Sequence, residues 1–290
     1  MNILLDIATA SGWMAGSERV RIIDCRSVLG DATAGRNAFL AGHIPGALHA
    51  DLDTDLSMPG PATAGRHPLP DAAHLSATFS RWGLTPEHWL IAYDAGDGAY
   101  AARAWWLATR AGHSRALLID GGLRAWQLAG HPLDFGDPQA PMANVERIVS
   151  IDRSATVDAD ALTERLEAHS AILIDARGAG RFRGDVEPID TMAGHIPGAH
   201  NRPYVDNLEN GVFKSPEVLR KEFLAILAGA APADVVHMCG SGVTACHNLL
   251  AMDLAGLNGS RLFAPSWSGW IADADRSIAW GGDTPVTPAL

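Results

Sequence analysis

The residues best placed for chemistry are Cys239-Gly-Ser-Gly-Val-Thr244, a thiol followed by two glycines and two hydroxyl side chains. The run closes an apolar segment, Asp234-Val-Val-His-Met238, and leads through Ala245-Cys-His247 into an apolar stretch ending near Leu254. That order predicts a strand over 234–238, a tight loop, and a helix from Val243 to Leu254. It puts the thiol where strand ends face ligands in open α/β sheets. Backbone N–H groups of the loop and first helical turn, from Gly240, Gly242, Val243 and Thr244, can converge there on a sulfur or a neighbouring anion. The positive end of the helix dipole favours thiolate over thiol. Gly240 and Gly242 let the backbone fold tightly around that atom. The chemistry implied is nucleophilic attack by sulfur.

Two other thiols, Cys25 and Cys246, read as buried and inert, Cys246 lying on the first turns of the helix. Three cysteines are too few and too scattered for a disulfide framework or a structural zinc site, and reduced thiols are expected. A cysteine phosphatase is a competing class, and it needs an arginine after five intervening residues to grip phosphate bidentately. Here that position is Ala245, and the loop itself has no cationic side chain, which argues against phosphoryl transfer.

The elements that position this loop occur twice, at a spacing of roughly 150 residues, a domain-scale period. Val20-Arg-Ile-Ile-Asp24, Arg26 and Gly42-His-Ile-Pro-Gly-Ala47 are matched by Ile172-Leu-Ile-Asp175, Arg177 and Gly194-His-Ile-Pro-Gly-Ala199. Each half then carries a helix signal. Asp71 caps Ala72 to Trp82, and Ser215-Pro-Glu217 opens a helix over Val218 to Leu227. Trp89-Leu-Ile-Ala-Tyr93 is the first-half counterpart of the strand before Cys239, followed by a helix near Ala99 to Arg110. Asp94-Ala-Gly-Asp-Gly98 stands where the thiol loop would be. Strands alternating with helices imply two α/β domains, each a mainly parallel sheet flanked by helices. Asp134 to Ser150, rich in Pro, Gly and polar residues, suits a linker. The expected division is a non-catalytic domain over 1–137, a linker over 138–153 and a catalytic domain over 154–290.

With 290 residues, 47% hydrophobic and 19% charged, the chain is expected to be globular throughout. A formal charge of −11 with no Lys/Arg-rich run argues against nucleic acid and anionic membranes as partners. The start, Met1 to Asp6, lacks a signal-peptide pattern, and no apolar run reaches membrane-spanning length, so a cytoplasmic location is expected.

The paired domains, the duplicated Gly-His-Ile-Pro-Gly-Ala runs and the single Cys239 loop resemble the tandem-domain rhodanese family over nearly the whole chain. Within it, Cys-Gly-Ser-Gly-Val-Thr is similar to the loop of the 3-mercaptopyruvate sulfurtransferase type. The resemblance implies two rhodanese-like domains and an enzyme that moves sulfur as a Cys239 persulfide from a small-molecule donor to a thiol acceptor such as thioredoxin, or to cyanide. It implies no metal and no organic cofactor. Asp53 and His67 are identified with Ser241 as a serine, histidine and aspartate relay, and Arg181 as the residue that binds the donor's carboxylate. The family often has a second arginine after a Glu-Pro pair, where this chain has Ile189. Arg183 and Arg202 are the candidates to replace it. Thiosulfate sulfurtransferases commonly carry basic side chains in the loop, so the neutral Gly240 and Ser241 favour mercaptopyruvate. Thiosulfate:cyanide sulfurtransferase is the alternative. A non-catalytic, redox-sensing or partner-binding module stands behind it.

Overall fold

The computed structural model describes residues 3–16, 19–138 and 147–282. The first half runs β1 (Leu4–Leu5), α1 (Ile7–Gly16), β2 (Val20–Asp24), α2 (Ala34–Leu40), β3 (Leu48–His49), α3 (Ala72–Arg81), β4 (Trp89–Tyr93), α4 (Ala101–Arg110), β5 (Ala116–Ile119) and α5 (Gly122–Leu128). A 3-10 turn, Ala62–Ala64, precedes α3. The second half runs α6 (Ala159–Glu167), β6 (Ile172–Asp175), α7 (Ala179–Arg183), β7 (His200–Asn201), β8 (Leu208–Glu209), β9 (Val212–Phe213), α8 (Pro216–Leu227), β10 (Val235–Met238), α9 (Ala245–Leu254), β11 (Arg261–Leu262) and α10 (Ser266–Trp270).

Two parallel sheets result, in the orders β1-β5-β4-β2-β3 and β11-β10-β6-β7, beside a small antiparallel β8-β9 pair. The central strands are buried on both faces, as parallel strands covered by crossover helices must be: Leu90 to Tyr93 and Val235 to Met238 are all buried, His237 the one ionisable side chain of the β10 run. The helix starts follow local chemistry. Asp71 Oδ1 accepts the His74 N–H at 2.8 Å, and Ser215 Oγ accepts the Val218 N–H at 3.4 Å with Pro216 opening the helix. α4 and α9 each start two residues later than their sequence pattern suggests, because the residues ahead of them belong to the loops at the strand ends.

The chain forms two compact units that exchange short segments of sequence. One comprises 1–59, 69–153 and 208–213; the other comprises 60–68, 154–207 and 214–290. Part of the expected linker, 139–146, lies outside the described residues.

The repeat has a physical basis in each unit. Arg26 forks onto Asp24 and donates from Nη2 to the Gly42 carbonyl at 2.7 Å; Arg177 does the same with Asp175 and the Gly194 carbonyl at 2.8 Å. The histidines of the duplicated runs stack on phenylalanine rings at 3.9 Å between centroids, His43 on Phe39 and His195 on Phe182. Each also bonds through Nδ1 to the carbonyl of that phenylalanine. Asp24, Asp175 and Arg177 are buried and Arg26 is partly so, and each carboxylate needs its guanidinium to offset desolvation.

Candidate active site

β10 pairs with β6 in a register that sets Met238 against Asp175. Cys239 therefore emerges beside Ala176 and Arg177, and the Ala176 N–H donates to the Met238 carbonyl at 2.8 Å. The loop is pinned from its far side by α10. The Cys239 N–H donates to Ser266 Oγ at 3.1 Å, the Trp267 N–H to the Cys239 carbonyl at 3.0 Å, and the Ser268 N–H to the Gly240 carbonyl at 2.9 Å. Ser266 holds this place with a left-handed backbone, φ 54°, while donating its hydroxyl to the Phe263 carbonyl.

Within the loop, the Gly242 N–H donates to Cys239 Sγ at 3.1 Å. Gly242 has φ +78°, and a Cβ there would lie 2.5 Å from the Ala264 carbonyl oxygen, so the tight return needs glycine. Cys239 is 2% exposed and Ser241 6%. Val243 and Thr244 complete the turn into α9, Thr244 as its N-cap residue. Cys246 is buried in α9 and donates its thiol to the Gly242 carbonyl, whereas burial, then the Asp24, Asp94 and Asp55 carboxylates, push the Cys25 thiol well up.

The segment 60–68 carries His67 into the same compact unit as the loop. Close backbone approach makes this possible: a Cβ on Gly65 would lie 2.5 Å from the Pro265 carbonyl oxygen, and one on Gly269 2.7 Å from that of Thr63. The Arg66 N–H then donates to Ser268 Oγ at 3.1 Å. His67 Nδ1 and Ser241 Oγ share a hydrogen bond of 2.7 Å, and both side chains are buried. Asp53 belongs to the other unit, on the turn after β3, where its N–H donates to Asp51 Oδ1 at 2.9 Å. Burial and the Asp51 carboxylate push its carboxyl up from the ordinary range.

The Arg181 guanidinium stands beside the loop. A Cβ on Gly240 would be 3.4 Å from its Nη1. Its Nε donates to both oxygens of Glu187 at 3.1 Å and its Nη2 to Asp190 at 2.8 Å. Burial raises the Glu187 carboxyl, but its bonds from Arg181 and from the Asp190 and Ile189 N–H groups outweigh that and hold it below the usual range.

The candidate replacements for a second arginine are engaged with other partners. Arg183 pairs with Asp185 in a half-exposed contact, and Arg202 is taken up by Glu222 and Asn207 and stacked on Phe223. Ile189 itself is 41% exposed. The second guanidinium at the loop is Arg66, 3.2 Å from the Gly240 Cβ position and paired with Asp190. Charge read from the loop alone therefore undercounts the cations around it. Arg66, Ser266, Glu187 and Asp190 all escaped the sequence analysis. The one signal available for Arg66 was its place next to His67.

In the other unit, Asp94 occupies the position of Cys239. Its carboxylate accepts N–H groups from Gly96, Gly98, Tyr100 and Ala101 at 2.9–3.2 Å, filling the loop with its own anion. Burial and Asp97 nonetheless push this carboxyl up. Among the described residues no cluster of His, Cys, Asp and Glu is placed to hold a metal ion.

The rhodanese-like domain model matches this chain twice, over residues 9–129 and 158–273. A Pseudomonas aeruginosa protein named "Probable 3-mercaptopyruvate sulfurtransferase" is 46% identical over 90% of this chain and 92% of its own length. A Mycobacterium tuberculosis protein named "Putative thiosulfate sulfurtransferase SseB" is 37% identical over 96% of this chain and 97% of its own. The crystal structure of SseA from Escherichia coli, described as a 3-mercaptopyruvate sulfotransferase, superposes with a TM-score of 0.80 at 28% identity, covering 92% of this chain and 99% of that one.

Proposed function

The chain belongs to the rhodanese family, and from that premise we infer that it is a 3-mercaptopyruvate sulfurtransferase. The observation that carries this reading is the Cys239 thiol at a strand end, accepting the Gly242 N–H, with the Arg181 guanidinium beside the adjoining Gly240.

In this scheme Cys239 thiolate attacks the sulfur of 3-mercaptopyruvate. A bond forms between the two sulfurs, the carbon–sulfur bond breaks, and its electron pair passes to carbon as the enolate of pyruvate. Protonation of that carbon completes pyruvate, with Ser241 and His67 relaying the proton. Asp53 enters the scheme from the resemblance alone, as the carboxylate that orients His67. The N–H groups of Gly240, Gly242, Val243 and Thr244 stabilise the anionic sulfur in both halves of the cycle, as an oxyanion hole does for oxygen. The persulfide then passes its outer sulfur to a second thiol, such as that of thioredoxin, or to cyanide. Three buried thiols outside any disulfide suit a reducing compartment such as the cytoplasm, and among the described residues no helix is long and apolar enough to cross a membrane.

The neighbourhood of Gly240 balances three guanidinium groups, Arg66, Arg177 and Arg181, against Asp175, Glu187 and Asp190. A near-neutral cluster accommodates one added negative charge more readily than the two of thiosulfate. Intact-mass measurement after incubation with each donor tests the reading. Mercaptopyruvate should add one sulfur atom to the wild-type protein and none to Cys239→Ser, while Cys25→Ser and Cys246→Ser still gain it. Sulfur loading of folded Cys239→Ser would remove the proposed nucleophile, and a higher kcat/KM with thiosulfate would overturn the donor.

A further inference from the structure

We propose that Arg66 is a donor-binding residue, forming with Arg181 a two-armed clasp for the carboxylate of the sulfur donor, an inference that rests on the keto-acid reading above. A Cβ on Gly240 would lie 3.2 Å from Arg66 Nη2 and 3.4 Å from Arg181 Nη1. Both guanidinium groups thus stand over the residue that follows the nucleophile.

Arg181 alone is poorly supplied for two-pronged binding. Its Nε is committed to Glu187, and its Nη2 to Glu187 and Asp190, which leaves Nη1 as the nitrogen facing Gly240. Arg66 is in the complementary position. Its Nη1 is held by Asp190, its Nη2 faces Gly240, and its Nε is buried with no hydrogen-bond partner. One nitrogen from each arginine therefore faces the same small volume, as the two oxygens of a carboxylate require. Asp190, with a side chain only 4% exposed, accepts from both arginines and offsets the repulsion between them. The clasp is also well anchored. The Arg66 backbone N–H is fixed on Ser268 Oγ, and Ser268 in turn holds the Gly240 carbonyl. The segment that brings His67 to Ser241 thereby brings a cation to the loop.

The test compares 3-mercaptopyruvate with mercaptoacetone, which keeps the thiol and ketone but lacks the carboxylate. Steady-state kinetics would be run on wild type, Arg66→Ala, Arg66→Gln and Arg66→Lys, with folding of each checked by circular dichroism. The clasp predicts that the preference for mercaptopyruvate, expressed as the ratio of the two kcat/KM values, falls about tenfold in Arg66→Ala and Arg66→Gln, the equivalent of one charge-assisted hydrogen bond. The loss should appear in KM more than in kcat. Arg66→Lys should fall between, because it keeps charge without the fork. Equal losses with both donors would assign Arg66 a structural role and overturn the proposal, as would an unchanged ratio. Arg66→Gln retains a hydrogen-bond donor for Asp190, so the comparison survives if the alanine variant does not fold. A wild-type protein that turns over thiosulfate but not mercaptopyruvate would defeat the donor assignment itself. Normal mercaptopyruvate use with silent Arg66 variants would defeat only the clasp.

Discussion

His67 Nδ1 lies 2.7 Å from Ser241 Oγ although 174 positions separate the two residues in the chain. A buried histidine and a buried serine at this distance share a hydrogen bond two residues from Cys239, and what the pair contributes to turnover can be measured directly.

His67→Ala and Ser241→Ala should each lower kcat with mercaptopyruvate by about 10²–10⁴ if the pair delivers the proton to the enolate. Thiosulfate requires no carbon protonation, so its turnover should fall less. Parallel kinetics with the two donors decide the matter, since equal losses would indicate a damaged pocket.

The two loop glycines should respond differently to the same added methyl group. Gly242→Ala puts a Cβ 2.5 Å from the Ala264 carbonyl oxygen at φ +78°, which should cost about 1–3 kcal/mol and remove most activity. At Gly240 a Cβ meets only the ends of two arginine side chains, at 3.2 and 3.4 Å. Gly240→Ala should therefore keep near-wild-type stability while raising KM for mercaptopyruvate. Urea unfolding and steady-state kinetics on both variants separate these outcomes.

His237 should make the protein acid-sensitive. Burial, then the Arg202 charge, push its imidazole down from 6.5 to about 3, and its Nδ1 is buried with no partner. Between those values the unfolded chain takes up a proton that the folded chain refuses, so stability falls as pH falls. Each pH unit in that window costs about 1.4 kcal/mol. His237→Leu removes the linkage, and urea unfolding at pH 7 and pH 5 should show a smaller loss than in wild type, by about 2 kcal/mol. Parallel losses would mean that His237 is protonated in the fold.

Much of this architecture is legible in the sequence because its causes are local. The apolar runs of β4 and β10, the Asp71 and Ser215 caps, and the duplicated Gly-His-Ile-Pro-Gly-Ala segments each act within a few residues of themselves. Cys239 is legible for the same reason, its strand, glycines and helix being contiguous. The supporting shell is not. Ser266 reaches Cys239 only because α10 folds back over the loop. Arg66 reaches Gly240 only because Gly65 lets the backbone press against Pro265. Glu187 and Asp190 sit beside Ile189 in sequence, yet their role as partners of arginines appears only once α7 and the 60–68 segment are in place. Counting along the chain thus registered a missing cation at Ile189 and overlooked one supplied from far away.

The exchange of segments between the compact units does not follow the boundary of the sequence repeat. A fragment starting at residue 154 would hold one whole copy of the repeated pattern, with Cys239 and every strand of its sheet, yet it would lack both Arg66 and His67. The unit without the thiol loop thus flanks, on both sides in sequence, the segment 60–68 that carries Arg66 and His67. If Arg66 and His67 act as proposed, the first unit serves the second as the stem of that strip of chain, and cutting the polypeptide between them would part the strip from the loop.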